Sequence, residues 1–69
     1  MLEIDNHIAY LKEENEVVSY VTFPLVEKNT VDIKRVYTNI NKRGHGFAKV
    51  LMDGLYEYLK ENNRLWLRY

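Results

Sequence analysis

The residues with the most chemical content lie at positions 41 to 48, Asn41-Lys42-Arg43-Gly44-His45-Gly46-Phe47-Ala48. Two glycines let the backbone turn sharply and come close to a ligand. The run leads into an amphipathic helix, whose first amide N–H groups have no partner inside the helix and point outward. Together with the helix dipole, those amides form an anion site. Lys42 and Arg43 add cationic side chains at the same place. The spacing excludes two common phosphate loops. A Walker loop needs Lys-Ser or Lys-Thr after its second glycine, and G-x-G-x-x-G would need a glycine at position 49, which is Lys. His45 lies inside the loop and reads as a backbone-positioned residue or an anion partner rather than a general base. His7, at a strand start, reads as an exposed structural histidine. Two histidines without cysteine and without H-x-x-x-H spacing make no metal site. The absence of cysteine also excludes a thiolate nucleophile and a disulfide framework. Ser19, the sole serine, sits mid-strand, where a serine nucleophile is not expected.

The charges around this loop are segregated. Ten basic residues balance ten acidic ones. Residues 1–33 hold two bases against seven acids, a net of −5, and residues 34–69 hold eight against three, a net of +5. Lys34, Arg35, Lys42, Arg43 and Lys49 fall in one stretch, 34–49, that contains no acid. Such a stretch fits either an anionic ligand or attraction between two oppositely charged halves of the fold. The glycine loop inside it favours the ligand. Zero net charge counts against a general nucleic-acid-binding or membrane-coating protein. No apolar run reaches the roughly 20 residues that cross a bilayer. The early Glu3, Asp5 and Asn6 do not fit a signal peptide. A soluble, cytoplasmic, single domain over 1–69 is expected. Leu, Ile, Val and Phe make up 21 of 69 residues, too many for a disordered chain. A chain this short buries only about 60% of its unfolded surface, so nine aromatic residues and self-association are its available reinforcements.

The elements that must position the loop follow from hydrophobic period. Residues 7–12 read as a strand. Residues 17–23 alternate, with Val17, Ser19, Val21 and Phe23 on one face and Val18, Tyr20 and Thr22 on the other. Glu13–Glu16 and Glu27–Asn29 read as turns, and at Pro24 the strand before it should end, bulge or lie at an edge. Residues 30–38 read as a third strand whose alternation fails at Arg35 and Val36, as a β-bulge would cause. From 46 to 62 the period changes. Phe47, Val50, Leu51, Leu55, Tyr58 and Leu59 form a helical stripe. Gly54 within it predicts close packing against a strand, and Asn62-Asn63 suits a left-handed helix end. Residues 65–69 read as a last strand. The expected fold is α+β: an antiparallel three-stranded meander, one right-handed crossover helix and a final strand parallel to the third.

Arg43-x-x-Gly46-x-Ala48 resembles the Arg/Gln-x-x-Gly-x-Gly/Ala signature of the GNAT (GCN5-related) N-acetyltransferases, and the strand and helix flanking it sit where that family places them. The three-stranded start is similar to the very small single-domain members. The resemblance implies that acetyl-CoA is the cofactor. It places the pyrophosphate on Lys42, Arg43, Gly44, His45, Gly46, Phe47 and Ala48, and the pantetheine arm on the bulged strand at Val36, Tyr37 and Thr38. It further implies direct transfer of the acetyl group to an amine, in a small molecule or a protein. Glu16, Glu27 or Asp32 could deprotonate that amine, and Tyr37 could protonate a departing thiolate; Tyr37 and Glu16 are the catalytic candidates. Members of the family continue into a further helix and strand. With the chain ending at Tyr69, slow turnover and a homodimer through the strand from Trp66 to Tyr69 are expected. Two alternatives stand beside this reading: a non-catalytic coenzyme-A-binding or interaction domain, and a nucleic-acid module built on the basic stretch with Tyr37 and Phe47, which the zero net charge disfavours.

Overall fold

Short polar turns fold the first 22 residues back on themselves. In the computed structural model, which describes residues 1–67, β1 (Leu2–Asp5), β2 (Ile8–Glu13) and β3 (Glu16–Thr22) form an antiparallel meander. Glu14 and Asn15 both take positive φ, 50° and 67°. Two successive left-handed residues make the turn whose twist matches the strands on either side. β1 is not among the predicted strands. It is four residues long and carries two acids, which hides it from any pattern count. The two-face pattern of residues 17–23 holds from Ser19 onward and fails before it. Val18 and Ser19 are both buried while Val17 is exposed. Leu11 pairs with Ser19 but Lys12 pairs with Val17, so Val18 is the extra residue of a bulge that turns it into the core.

The predicted strand over 30–38 is corrected to two strands in different sheets. β4 (Leu25–Glu27) precedes it and pairs antiparallel with β5 (Thr30–Asp32), while β6 (Lys34–Thr38) pairs antiparallel with β3. Buried Ile33 separates β5 from β6. The expected bulge lies at Arg35, whose φ is 52°. Tyr20 pairs with Tyr37 and Thr22 with Lys34, so Val21 alone faces both Arg35 and Val36. The extra residue bends the strand within β6.

A short 3-10 helix (Ile40–Lys42) leads to α1 (Phe47–Glu61). Leu51, Leu55 and Leu59 are fully buried and repeat every four residues. Burial of each stabilises the fold by about 1.5–3 kcal/mol. Val50, assigned to the buried stripe from sequence, is 54% exposed. The buried face is rotated toward half-buried Met52 and Tyr56 instead. Gly54 packs as expected against a strand, and that strand is β1: a Cβ there would run into the Leu2 side chain. The helix ends where the asparagines are. Asn63 takes φ 55°, and the amides of Asn63 and Arg64 return to Lys60 O (3.2 Å) and Leu59 O (2.8 Å). β7 (Leu65–Leu67) then runs parallel to β5, with Trp66 stacked on Tyr56 at 5.1 Å. The expected continuation through Arg68 and Tyr69 lies outside the described residues. One sheet has the order β1-β2-β3-β6 and the other β4-β5-β7, and α1 packs on strands of both. No helix among the described residues is long and apolar enough to cross a membrane.

Candidate functional site

The cavity that matters lies where β6 meets the start of α1. It measures about 400 Å³ and is lined by Val36 and Thr38 from the strand and by Lys42, Arg43, Gly44, Gly46, Phe47 and Ala48 from the loop and first helical turn. All eight are among the ten residues expected at the cofactor site. The other two, Tyr37 and His45, do not line it. Tyr37 points to the opposite face of the sheet because side chains alternate along a strand, and its ring lies against Tyr20 at 5.1 Å. His45 is exposed and stacks on Phe47 at 5.7 Å.

Local geometry gives the loop its donors. Asn39 caps the 3-10 helix: its Oδ1 accepts from Asn41 N at 2.9 Å, and its own amide donates to Val18 O at 2.8 Å. This ties the loop to β3. Gly44 and Gly46 take φ 84° and 75°, a left-handed backbone that costs an L-residue about 1–2 kcal/mol. A Cβ at either position would meet nothing within 4 Å, so backbone conformation and not crowding calls for glycine, and the space in front of the loop is open. Gly46 is the N-cap of α1 and offers no side-chain cap. The first helical bond runs from Val50 N to Gly46 O at 3.1 Å. The amides of Phe47, Ala48 and Lys49 therefore have no acceptor inside the helix.

Ion pairs decide which cations are available. Lys34 pairs with Asp32 at 3.4 Å, Lys42 with Glu13 at 3.8 Å and Lys49 with Asp53 at 2.8 Å. Asp53 raises the Lys49 ammonium above its ordinary pKa, first by accepting its hydrogen bond and then by its charge. Two of these pairs, Lys34–Asp32 and Lys42–Glu13, join the basic half of the chain to the acidic one, and the third, Lys49–Asp53, lies within the helix. Arg35 and Arg43 make no ion pair among the described residues. Arg43 lines the cavity, and its Nε donates to Thr38 O at 3.4 Å.

The remaining candidates are scattered. Glu16 begins β3, and its Oε2 accepts from Asn39 Nδ2 at 3.3 Å. Glu27 is exposed on β4, and Asp32 is engaged by Lys34. None of these carboxylates lines the cavity. His7 packs edge-on against Phe23 at 5.9 Å, a structural contact. No group of three metal-ligating side chains occurs among the described residues. A larger groove of about 670 Å³ runs along the other sheet, lined by Val26, Glu27, Thr30, Leu65 and Trp66. It is mostly apolar and its one charged lining residue is an acid, so it is no place for an anion. Sequence reasoning missed Asn39 and Ser19. An asparagine just before a helical turn is a capping signal. Ser19 stands out in sequence as the sole serine on an otherwise apolar strand face, but its partners do not: its Oγ donates to Tyr37 O at 2.7 Å and lies 3.1 Å from Thr38 Oγ1.

The fold recurs among solved structures. The chain is similar to a ribosomal-protein-alanine N-acetyltransferase from Brucella melitensis biovar Abortus 2308, at TM-score 0.77 and 19% identity over 90% of this chain and 48% of that one. It is similar to a Staphylococcus aureus protein described as a GCN5-like N-acetyltransferase, at TM-score 0.67 and 21% identity over 99% and 68%. It is also similar to a Bacillus anthracis protein described as a streptothricin acetyltransferase, in complex with acetyl coenzyme A, at TM-score 0.69 and 20% identity over 81% and 32%. At these identities the likeness establishes the fold. The chain spans about half the length of the Brucella protein and about a third of the Bacillus protein. Among curated proteins none matches it. The match that settles its kinship covers nearly the whole sequence: the acetyltransferase (GNAT) family model aligns with residues 2–68, and the chain belongs to that family.

Proposed function

We propose that the chain binds acetyl-CoA and serves transfer of its acetyl group to an amine. The observation that carries this reading is the cavity at the start of α1, lined by Phe47 and Ala48 of the first helical turn, by the two left-handed glycines and by Arg43, which makes no ion pair among the described residues. That donor set fits a pyrophosphate: backbone N–H groups for the oxygens, a guanidinium for the charge, and no lining carboxylate to repel it. Lys42, Arg43, Gly44, His45, Gly46, Phe47 and Ala48 would hold the pyrophosphate, and Val36, Tyr37 and Thr38 the pantetheine arm, with His45 and Tyr37, whose side chains do not line the cavity, contributing backbone only. When bound, acetyl-CoA supplies an activated thioester carbonyl. The protein's part is to orient it. β6 and β7 belong to different sheets, and the arm would lie along β6, where Val36 and Thr38 line the cavity. A homodimer along β7, the outer strand of its sheet, belongs to the same proposal, and light scattering reads it.

One observation favours a second reading, a coenzyme-A-binding domain without catalysis. Tyr37 and Glu16, the two catalytic candidates, stand away from the cavity. Calorimetry with acetyl-CoA and thiol release with a panel of amines separate the two. Saturable binding with amine-dependent thiol release supports the transferase. Binding without release supports the second reading, and no binding refutes both.

A further inference from the structure

We propose that Ser19 is a positioning residue that fixes the Thr38 hydroxyl as a hydrogen-bond acceptor on the cavity wall, so that the cavity selects a ligand with an amide N–H at that point. The inference rests on the coenzyme A reading above and adds to it a source of ligand selectivity outside the glycine loop.

The argument is a count of protons. Ser19 is fully buried, the sole buried polar side chain among the described residues. Its Oγ lies 2.7 Å from Tyr37 O and 3.1 Å from Thr38 Oγ1. A hydroxyl has one proton and a carbonyl has none. The Ser19 proton must therefore go to Tyr37 O. Two hydroxyl oxygens 3.1 Å apart need a proton between them, and the remaining one belongs to Thr38. Thr38 thus donates to Ser19 and has no proton left to offer elsewhere. Its oxygen makes no further hydrogen bond among the described residues and keeps lone-pair capacity. Thr38 lines the cavity on the same face as Val36, while its carbonyl is engaged by Arg43 Nε at 3.4 Å. The hydroxyl is a polar group of this lining residue, and its polarity is set from behind by Ser19, which does not itself line the cavity. The pantetheine arm carries two secondary amides, each with one N–H, and an acceptor of fixed polarity favours such a group over an ether or ester oxygen.

The test uses the full chain and three ligands: coenzyme A and two analogues in which one or the other amide N–H is replaced by an ester oxygen. Affinities are measured by calorimetry. The wild type should bind one analogue about five- to tenfold more weakly than coenzyme A, the size expected for one neutral hydrogen bond. Thr38→Val should bring that ratio to about one, and Thr38→Ser should restore it. Ser19→Ala frees the Thr38 rotor to donate, so the ratio should fall toward one. A merely structural role for Ser19 would weaken all three ligands alike and leave the ratio unchanged. Should Ser19→Ala fail to fold, the half-buried Thr38→Val and Thr38→Ser pair decides. Coenzyme A binding with a ratio of one for both analogues, or with a ratio that Thr38→Val or Ser19→Ala leaves unchanged, overturns this inference alone. No coenzyme A binding to the wild type overturns the reading beneath it.

Discussion

Gly46→Glu should abolish acetyl-CoA binding while leaving a folded domain. Gly46 sits at φ 75° and ψ 14°, where an L-residue costs about 1–2 kcal/mol. A Cβ would meet no atom within 4 Å, so no packing penalty is added. A carboxylate at the N-terminus of α1 offsets about 0.3–1 kcal/mol by opposing the helix dipole. The net loss of about 1 kcal/mol stands against the roughly 3–10 kcal/mol expected for a chain of this size, and folding survives. Binding does not. The new carboxylate occupies the space open to an anion, and two like charges about 4 Å apart repel by about 4 kcal/mol at an effective dielectric of about 20. That is about three orders of magnitude in Kd. Urea denaturation measures the first quantity and calorimetry with acetyl-CoA the second. Gly46→Asn is the companion variant: it tolerates the left-handed backbone without a charge, so its stability should stay close to wild type. Wild-type affinity in a folded Gly46→Glu protein would refute the assignment of the anion to this loop.

Arg43→Ala should weaken acetyl-CoA binding by about tenfold, less than Gly46→Glu, because the helix amides survive the change; titration calorimetry reads the difference. Leu51→Ala should cost about 2–5 kcal/mol because the side chain is fully buried, whereas Val50→Ala on the exposed flank should stay within about 0.5 kcal/mol; urea midpoints compare them. Tyr10 Oη donates to Glu3 Oε1 at 3.1 Å, and this bond, followed by the Glu3 charge, raises the Tyr10 phenol above its ordinary pKa near 10. The stabilisation is present below that ordinary value and is lost as pH rises through the raised one. Glu3→Gln should move Tyr10 ionisation to lower pH in an absorbance titration of tyrosinate, and an unmoved curve would contradict the pairing.

The helix and the loop were legible in sequence because each carries its own signal. Leucines at 51, 55 and 59 set a helical period, and Gly44 and Gly46 mark a sharp left-handed loop before the helix. Position 35 was legible as a bulge because a charge in an apolar slot breaks strand alternation. What escaped was set by partners distant in sequence. β1 and β4 are too short to show a period, and their pairing with β2 and β5 defines them. The burial of Val18 depends on a register slip opposite Leu11 and Lys12. The exposure of Val50 depends on how α1 is rotated on the sheets. The side-chain direction of Tyr37 depends on which face of β6 the helix covers, so its sequence neighbours Val36 and Thr38 reach the cavity and it does not.

The central claim is that acetyl-CoA binds where β6 meets the start of α1. An amide NMR titration of the full chain with acetyl-CoA tests it most directly. The account predicts saturable shifts concentrated at Lys42 to Lys49 and at Val36 to Asn39, with the turns at Asn6 and at Glu14 and Asn15 unmoved. Shifts confined to the groove at Val26, Leu65 and Trp66, or no shifts at all, would contradict it.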